Sequence, residues 1–119
     1  MTETLTLHDL RQFTGTEHWF RHWMERQVTY TDGMQHVAET AGAYWLIDAI
    51  AFAQSCVEPV KAEQFQVWKL TVTDHRAVLA CEDGNGNHVY KQAIEYTDFP
   101  LPQFTVWVSN NVMMLPSEY

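Results

Sequence analysis

The stretch "TDGMQHVAETAGAYWLIDAIAFA", residues 31–53, decides the fold. Val37, Ala41, Trp45, Asp48/Ala49 and Phe52 recur at close to a helical period, which predicts helix throughout it. Asp32 is placed to act as N-cap, with Gln35 three residues on to complete a capping-box-like pair. Gly42 falls in the middle, where glycine costs about 1 kcal/mol relative to alanine. A break there is expected, giving helices over 33–41 and 43–55. The second is apolar on every side except at Asp48, so it is expected at the centre of the core. Pro59 closes the region.

Upstream, residues 5–14 predict a short helix capped by Thr6, with Asp9 in its first turn, Leu7, Leu10 and Phe13 as its apolar stripe and Gly15 as its stop. Residues 17–31, "EHWFRHWMERQVTYT", are readable either way: Trp19, Phe20, Trp23 and Met24 suit a helical face, whereas Val28-Thr29-Tyr30 suits a strand. The preferred reading is strand over 18–22, a turn at Glu25–Arg26 and strand over 27–31.

Downstream of residue 64 the period changes to two. "FQVWKLTV" sets Phe65, Val67 and Lys69 against Gln66, Trp68, Leu70 and Val72. A turn at Asp74–His75 leads into "RAVLACED" over 76–83, and "GNGN" at 84–87 is a hairpin signal because Gly and Asn tolerate positive φ. Further strands follow at 88–97 and 104–109, separated by a loop that Pro100 and Pro102 bracket, and Asn110-Asn111 turns the chain again. The expected architecture is one α+β domain over 1–119: a four-stranded antiparallel meander packed against a central apolar helical pair, with a short N-terminal helix.

The 119 residues are 46% hydrophobic, enough for a core without disulfides. Cys56 and Cys81 stand far apart and are expected to be reduced, mostly buried thiols. The N-terminus lacks the basic and apolar regions of a signal peptide. The longest apolar run, 41–53, is interrupted by Asp48 and falls short of the roughly 20 residues of a membrane span. A soluble, cytoplasmic protein with no membrane contact is expected. Seven Lys and Arg against fifteen Asp and Glu give a net charge of −8, which repels phosphate backbones and argues against direct nucleic-acid binding.

Several segments together resemble a known family: "TGTE" at 14–17, "YTDGM" at 30–34, "AYWLIDAIA" at 43–51, "FQVWKL" at 65–70, "YTDFPL" at 96–101 and "LPSEY" at 115–119. They look like a family of small bacterial proteins, often borne by phages and plasmids, catalogued as a domain of unknown function. The resemblance spans nearly the whole chain. It implies no activity, cofactor or catalytic residue, and the mobile-element association implies regulatory or anti-defence roles.

No coherent catalytic set or cofactor motif stands out. His18 and His22 are four residues apart, a metal-ligand spacing on a helix. On a strand the same two side chains fall about 13 Å apart, too far for one ion. Asp48 is the most informative single residue. A carboxylate in an apolar helix needs hydrogen-bond donors. The ordinary reading makes it an acceptor for Trp or Tyr donors or for backbone N–H groups at a turn. The functional readings make it a general base in a pocket or a partner-facing charge. Most of the five tryptophans are expected in the core, with Trp19 and Trp23 the best candidates for a partly exposed aromatic pair.

"TYTDGM" at 29–34 has an echo in "EYTDFP" at 95–100. Asp32 and Asp98 are read as residues that take up free N–H groups where the chain changes direction, with paired carboxylates as the alternative. The expectation drawn from all this is a non-enzymatic protein-binding module, in one version an inhibitor offering an acidic face to a host defence or nucleic-acid-binding protein. The alternative is a small enzyme or metal binder using Asp48 with His18, His22 or His36. A homodimer through an exposed sheet face or edge is a further expectation.

Overall fold

The computed structural model describes residues 5, 6 and 10–119 of the chain. Among these, seven strands form one sheet: β1 (Trp19–Arg21), β2 (Thr29–Thr31), β3 (Phe65–Thr73), β4 (Arg76–Asp83), β5 (His88–Ile94), β6 (Gln103–Ser109) and β7 (Val112–Met114). Between β2 and β3 run α1 (Asp32–Ala41), α2 (Tyr44–Cys56) and the single turn α3 (Glu58–Lys61), and a 3-10 turn over Pro116–Glu118 follows β7. Of the helix expected over 5–14, residues 7–9 lie outside the described residues; Leu10 and Arg11 are helical, and the chain leaves the helix at Gln12, earlier than expected.

The strand order is β1-β2-β7-β6-β3-β4-β5, and the pair β2–β7 is parallel while every other pair is antiparallel. This corrects the expected four-stranded antiparallel meander: the sheet is mixed and has seven strands, and β6 pairs with β3 instead of β5. The reason lies in the loop after β5. Ile94 is level with Ala77. From there the chain passes the tip of the β3–β4 hairpin, where Thr97 N–H donates to the His75 carbonyl, and returns on the far side of β3, where Val72 N–H donates to the Pro102 carbonyl. Phe99 is buried in this loop and packs on Phe104, their ring centroids 5.3 Å apart. The loop is thus tied down at three points around the hairpin tip.

Local turn chemistry sets the hairpins. Asp74 and His75 have φ of 51° and 61°, and Asn110 and Asn111 have 50° and 66°. Two consecutive left-handed residues match the right-handed strand twist of a two-residue hairpin. Asn110-Asn111 thereby turns the chain from β6 into β7, and β7 becomes the strand on which β2 docks. Gly42 (φ 63°) ends α1, with the N–H groups of Gly42 and Ala43 both returning to the Ala38 carbonyl. The helix break therefore falls where expected.

The start of α1 differs from expectation. Thr31 is the N-cap, its hydroxyl accepting from Met34 N–H, and Asp32 is the first helical residue. Gln35 takes no part in this cap. Its place is taken by Glu118, whose Oε2 accepts from Gly33 N–H at 3.1 Å while Oε1 accepts from the Thr31 hydroxyl at 2.6 Å and from Leu115 N–H at 2.9 Å. A Cβ at position 33 would sit 2.5 Å from Glu118 Oε1 and 2.7 Å from Leu115 Cδ1, so a larger residue must displace a carboxylate that three hydrogen bonds hold in place.

The helices cover one face of the sheet. Trp68, Leu70, Leu79, Cys81, Phe104, Val106, Val108 and Met113 point into the core and meet Leu46, Ile47, Ile50 and Ala51 of α2. One polar unit is sealed inside: Gln54 of α2 and Gln66 of β3 exchange amide hydrogen bonds, and Gln66 Oε1 also accepts from Trp68 Nε1 at 2.8 Å. With its indole N–H satisfied, Trp68 is completely buried. The two thiols are free, but only Cys81 is buried; Cys56, in the last turn of α2, is exposed, which corrects the expectation for that residue. Among the described residues no helix is long and apolar enough to cross a membrane.

Candidate functional site

α2 carries Tyr44, Asp48 and Phe52 at four-residue spacing, one stripe along its side. This stripe runs along the rim of the core and meets the segment leaving β1. His22, the residue after β1, is 2% exposed and lies edge-on to Phe52, ring centroids 5.8 Å apart. Its Nε2 is 2.7 Å from Asp48 Oδ1. The same oxygen accepts from Trp23 Nε1 at 3.1 Å. The chain then bends so that the N–H groups of Met24 and Glu25 both donate to His22 Nδ1, at 3.2 and 2.9 Å.

That bonding pattern assigns the tautomer. Nδ1 receives two N–H donors, so it carries the lone pair, and the ring proton resides on Nε2, donated to Asp48. In a catalytic His–Asp pair the nitrogen facing away from the carboxylate must have its lone pair free to take a proton. Here it is occupied twice. The pair holds the 22–25 bend and positions Trp23; it is not arranged to move protons.

The effect on Trp23 is specific. Its side chain remains 66% exposed, yet its indole edge is bonded to a carboxylate that a buried imidazole fixes in turn. Met24, the next residue, is exposed, and so is Tyr44, one turn before Asp48 on α2, whose Oη donates to Glu39 Oε1 at 3.4 Å. Tyr30, on the helix-bearing face of β2, stacks on Phe20 with centroids 5.6 Å apart. Burial raises the Tyr30 phenol above its ordinary value, and the charges of Asp48 and Glu39 raise it further. Tyr44 is raised by burial, then by the charge of Glu39, by Tyr30 and by its hydrogen bond to Glu39. Two carboxylates and three aromatic side chains therefore share one corner of the surface.

The other sequence candidates lie elsewhere. Trp19 is 58% exposed, but strand alternation puts it on the opposite face of the sheet from Phe20 and Tyr30. His18 is separate from His22 and lies 3.4 Å from Asp32. Asp32 binds the N-terminal segment: its Oδ2 accepts from Glu17 and His18 N–H, while its own N–H donates to the Thr16 hydroxyl. The Glu17 N–H leads in lowering the Asp32 carboxyl below its ordinary range, with the Thr16 hydroxyl, the His18 N–H and the His18 charge adding to it. His36 packs on Phe13, centroids 5.1 Å apart. Asp98 is exposed on the loop between β5 and β6 and is not among the described partners of Asp32. In the echo it is threonine that turns the chain: Thr97 Oγ1 accepts from Phe99 N–H, as Thr31 Oγ1 accepts from Met34 N–H. Among the described residues no three His, Cys, Asp or Glu side chains gather as a metal site requires. Burial leads in pushing the Cys81 thiol up to about 12, with Glu63, Glu82 and Asp83 adding to it, so it is no nucleophile.

Sequence reasoning named Asp48, His22 and Trp23 but not their shared oxygen, and it missed Tyr30, Tyr44 and Glu39. The four-residue spacing of Tyr44 and Asp48 was the available signal for one of these. A model of a family without assigned function matches residues 4–119 of the chain. No curated protein and no solved structure matches it.

Proposed function

Because the chain belongs to this family of unknown function, DUF6876, and has no activity to inherit from it, we propose on geometry alone that it is a non-enzymatic protein-recognition module whose contact surface is the Trp23 corner. One observation carries the reading. Trp23 is 66% exposed and at the same time bonded to Asp48 through its indole N–H. Exposed tryptophans with fixed rotamers suit interface hot spots, because little side-chain entropy remains to be lost on binding. Met24 and Tyr44 widen the apolar contact, and Asp48 and Glu39 give it negative charge. The net charge of −8 favours a basic partner surface, such as a nucleic-acid-binding host protein presents to an inhibitor.

The test is affinity capture from a host lysate with wild-type, Trp23→Ala and Trp23→Ala/Tyr44→Ala baits of matched thermal stability. The expected result is a partner retained by the wild type, released by added salt and depleted at least about tenfold on the single variant. Equal capture by all three baits overturns the proposal. A second reading places self-association on the opposite sheet face, where Trp19 is exposed on the edge strand β1 beside β2. Light scattering tests it: a dimer that Trp19→Ala dissociates supports it, and a monomer at all concentrations rejects it.

A further inference from the structure

Deepening that reading, and resting on it, we infer that the corner formed by Trp23, Tyr30 and Tyr44 with Asp48 and Glu39 receives the guanidinium of an arginine side chain presented by the protein partner. Among the described residues every hydrogen-bond donor to these two carboxylates is neutral. Asp48 Oδ1 takes its bonds from a neutral imidazole and an indole, and Glu39 Oε1 takes its bond from a phenol. Among the described residues nothing hydrogen-bonds Asp48 Oδ2 or Glu39 Oε2. Lys61 and Lys69 pair with Glu58 and Glu82. Arg21 donates to the Arg26 carbonyl and, by strand alternation, leaves β1 on the opposite face. Among the described residues no Lys or Arg side chain pairs with Asp48 or Glu39, so the corner is an anionic patch bordered by aromatic faces. That its charge reaches the rings is visible in Tyr30 and Tyr44, which both titrate above their ordinary value partly because of it.

The geometry favours guanidinium over ammonium. The indole edge is bonded to Asp48, so a cation over the indole face lies beside that carboxylate. A planar guanidinium stacks on an aromatic face while its N–H groups radiate in plane toward acceptors at the edge. An ammonium is a compact, strongly hydrated point charge and gives up that stacking. Asp48, with 34% of its side chain exposed, is partly open to such a donor, and Glu39 is exposed.

The experiment uses the full chain and three short acetylated, amidated peptides that differ only at a central arginine, lysine or citrulline. Two-dimensional NMR reads the indole N–H of Trp23 and the backbone of Tyr44. The expected result is a saturable shift with the arginine peptide, a weaker one with lysine and none with citrulline. Glu39→Gln, whose one hydrogen bond among the described residues is to the Tyr44 hydroxyl, is expected to weaken arginine binding about tenfold with the Trp23 signal still in its native position. Asp48→Asn serves as the second variant, because it also loosens Trp23. Equal shifts with citrulline, a lysine response as strong as arginine, or unchanged affinity in Glu39→Gln overturns the inference. The two proposals fail separately. A partner whose capture depends on Trp23, with no arginine response, removes this inference and leaves the module standing; an arginine response without such a partner removes the module.

Discussion

At the scale of single residues, His22 serves several neighbours at once. One ring orients Asp48, accepts two backbone N–H groups and packs on Phe52. His22→Ala leaves the Met24 and Glu25 N–H groups without an acceptor, each costing about 1–3 kcal/mol where water cannot replace it. A loss of about 2–4 kcal/mol is expected in urea unfolding. Faster exchange of the Trp23 indole proton should accompany it. The tyrosines give a second residue-level prediction. Tyr30 and Tyr44 both titrate above the ordinary value of 10.0 in the folded chain. The unfolded chain therefore loses these protons first, and stability falls as pH rises past 10 through their folded values. Glu39→Gln should lower both phenols, since its charge bears on both, whereas Asp48→Asn should lower Tyr30 and leave Tyr44 nearly in place. Phenolate absorbance against pH, with Tyr→Phe variants to assign the steps, checks this.

At the scale of elements, α1 depends on a residue 85 positions away from the N–H it caps. Gly33→Ala forces Cβ into Glu118 and Leu115 and is expected to cost about 2–3 kcal/mol. Glu118→Ala removes three hydrogen bonds to one carboxylate and should cost a similar amount. The double variant should cost less than the sum, because removing the carboxylate relieves most of the crowding. Thermal melts of the four proteins close that cycle. This is also where sequence reading reached its limit. The break at Gly42, the β3–β4 turn at Asp74–His75 and the β6–β7 turn at Asn110–Asn111 were legible because each depends on the residues that form it. The N-cap was misread by one residue, because Asp32 and Gln35 satisfy the local pattern as well as Thr31 does, and the second acceptor, Glu118 for the Gly33 N–H, arrives from "LPSEY". β7 was missed for a related reason: three residues, "VMM", carry too little period to read, and a parallel partner leaves no trace nearby. The candidate site shows the same division. Asp48 was legible as a carboxylate in need of donors. That the donors are His22 and Trp23, 26 and 25 residues away, follows only from how β1 packs against α2.

At the scale of the whole molecule, the two thiols sample different depths. Cys56 is exposed, and Cys81 is buried and held protonated up to about 12. Native protein should consume one equivalent of a thiol reagent at once and the second only as fast as the sheet opens. The slow rate, followed in low urea, then reports global unfolding without a spectroscopic probe. A second fast equivalent would show that β4 opens independently of the rest.

The union of β2 with β7 has a kinetic consequence. The hairpins β3–β4, β4–β5 and β6–β7 close over a few residues each, whereas β2 must wait for a partner that follows it by the greater part of the chain. Closing so long a loop is entropically unfavourable, and its contacts repay that only when the remaining sheet is in place. The β1–β2 ribbon and the start of α1 are therefore expected to dock after the rate-limiting barrier. Stopped-flow experiments should find that Gly33→Ala and Glu118→Ala accelerate unfolding and leave the refolding rate nearly unchanged, while truncations of Leu70 or Leu79 slow refolding. The corner that carries Trp23 would then be the last part of the surface to be assembled and the first to come apart.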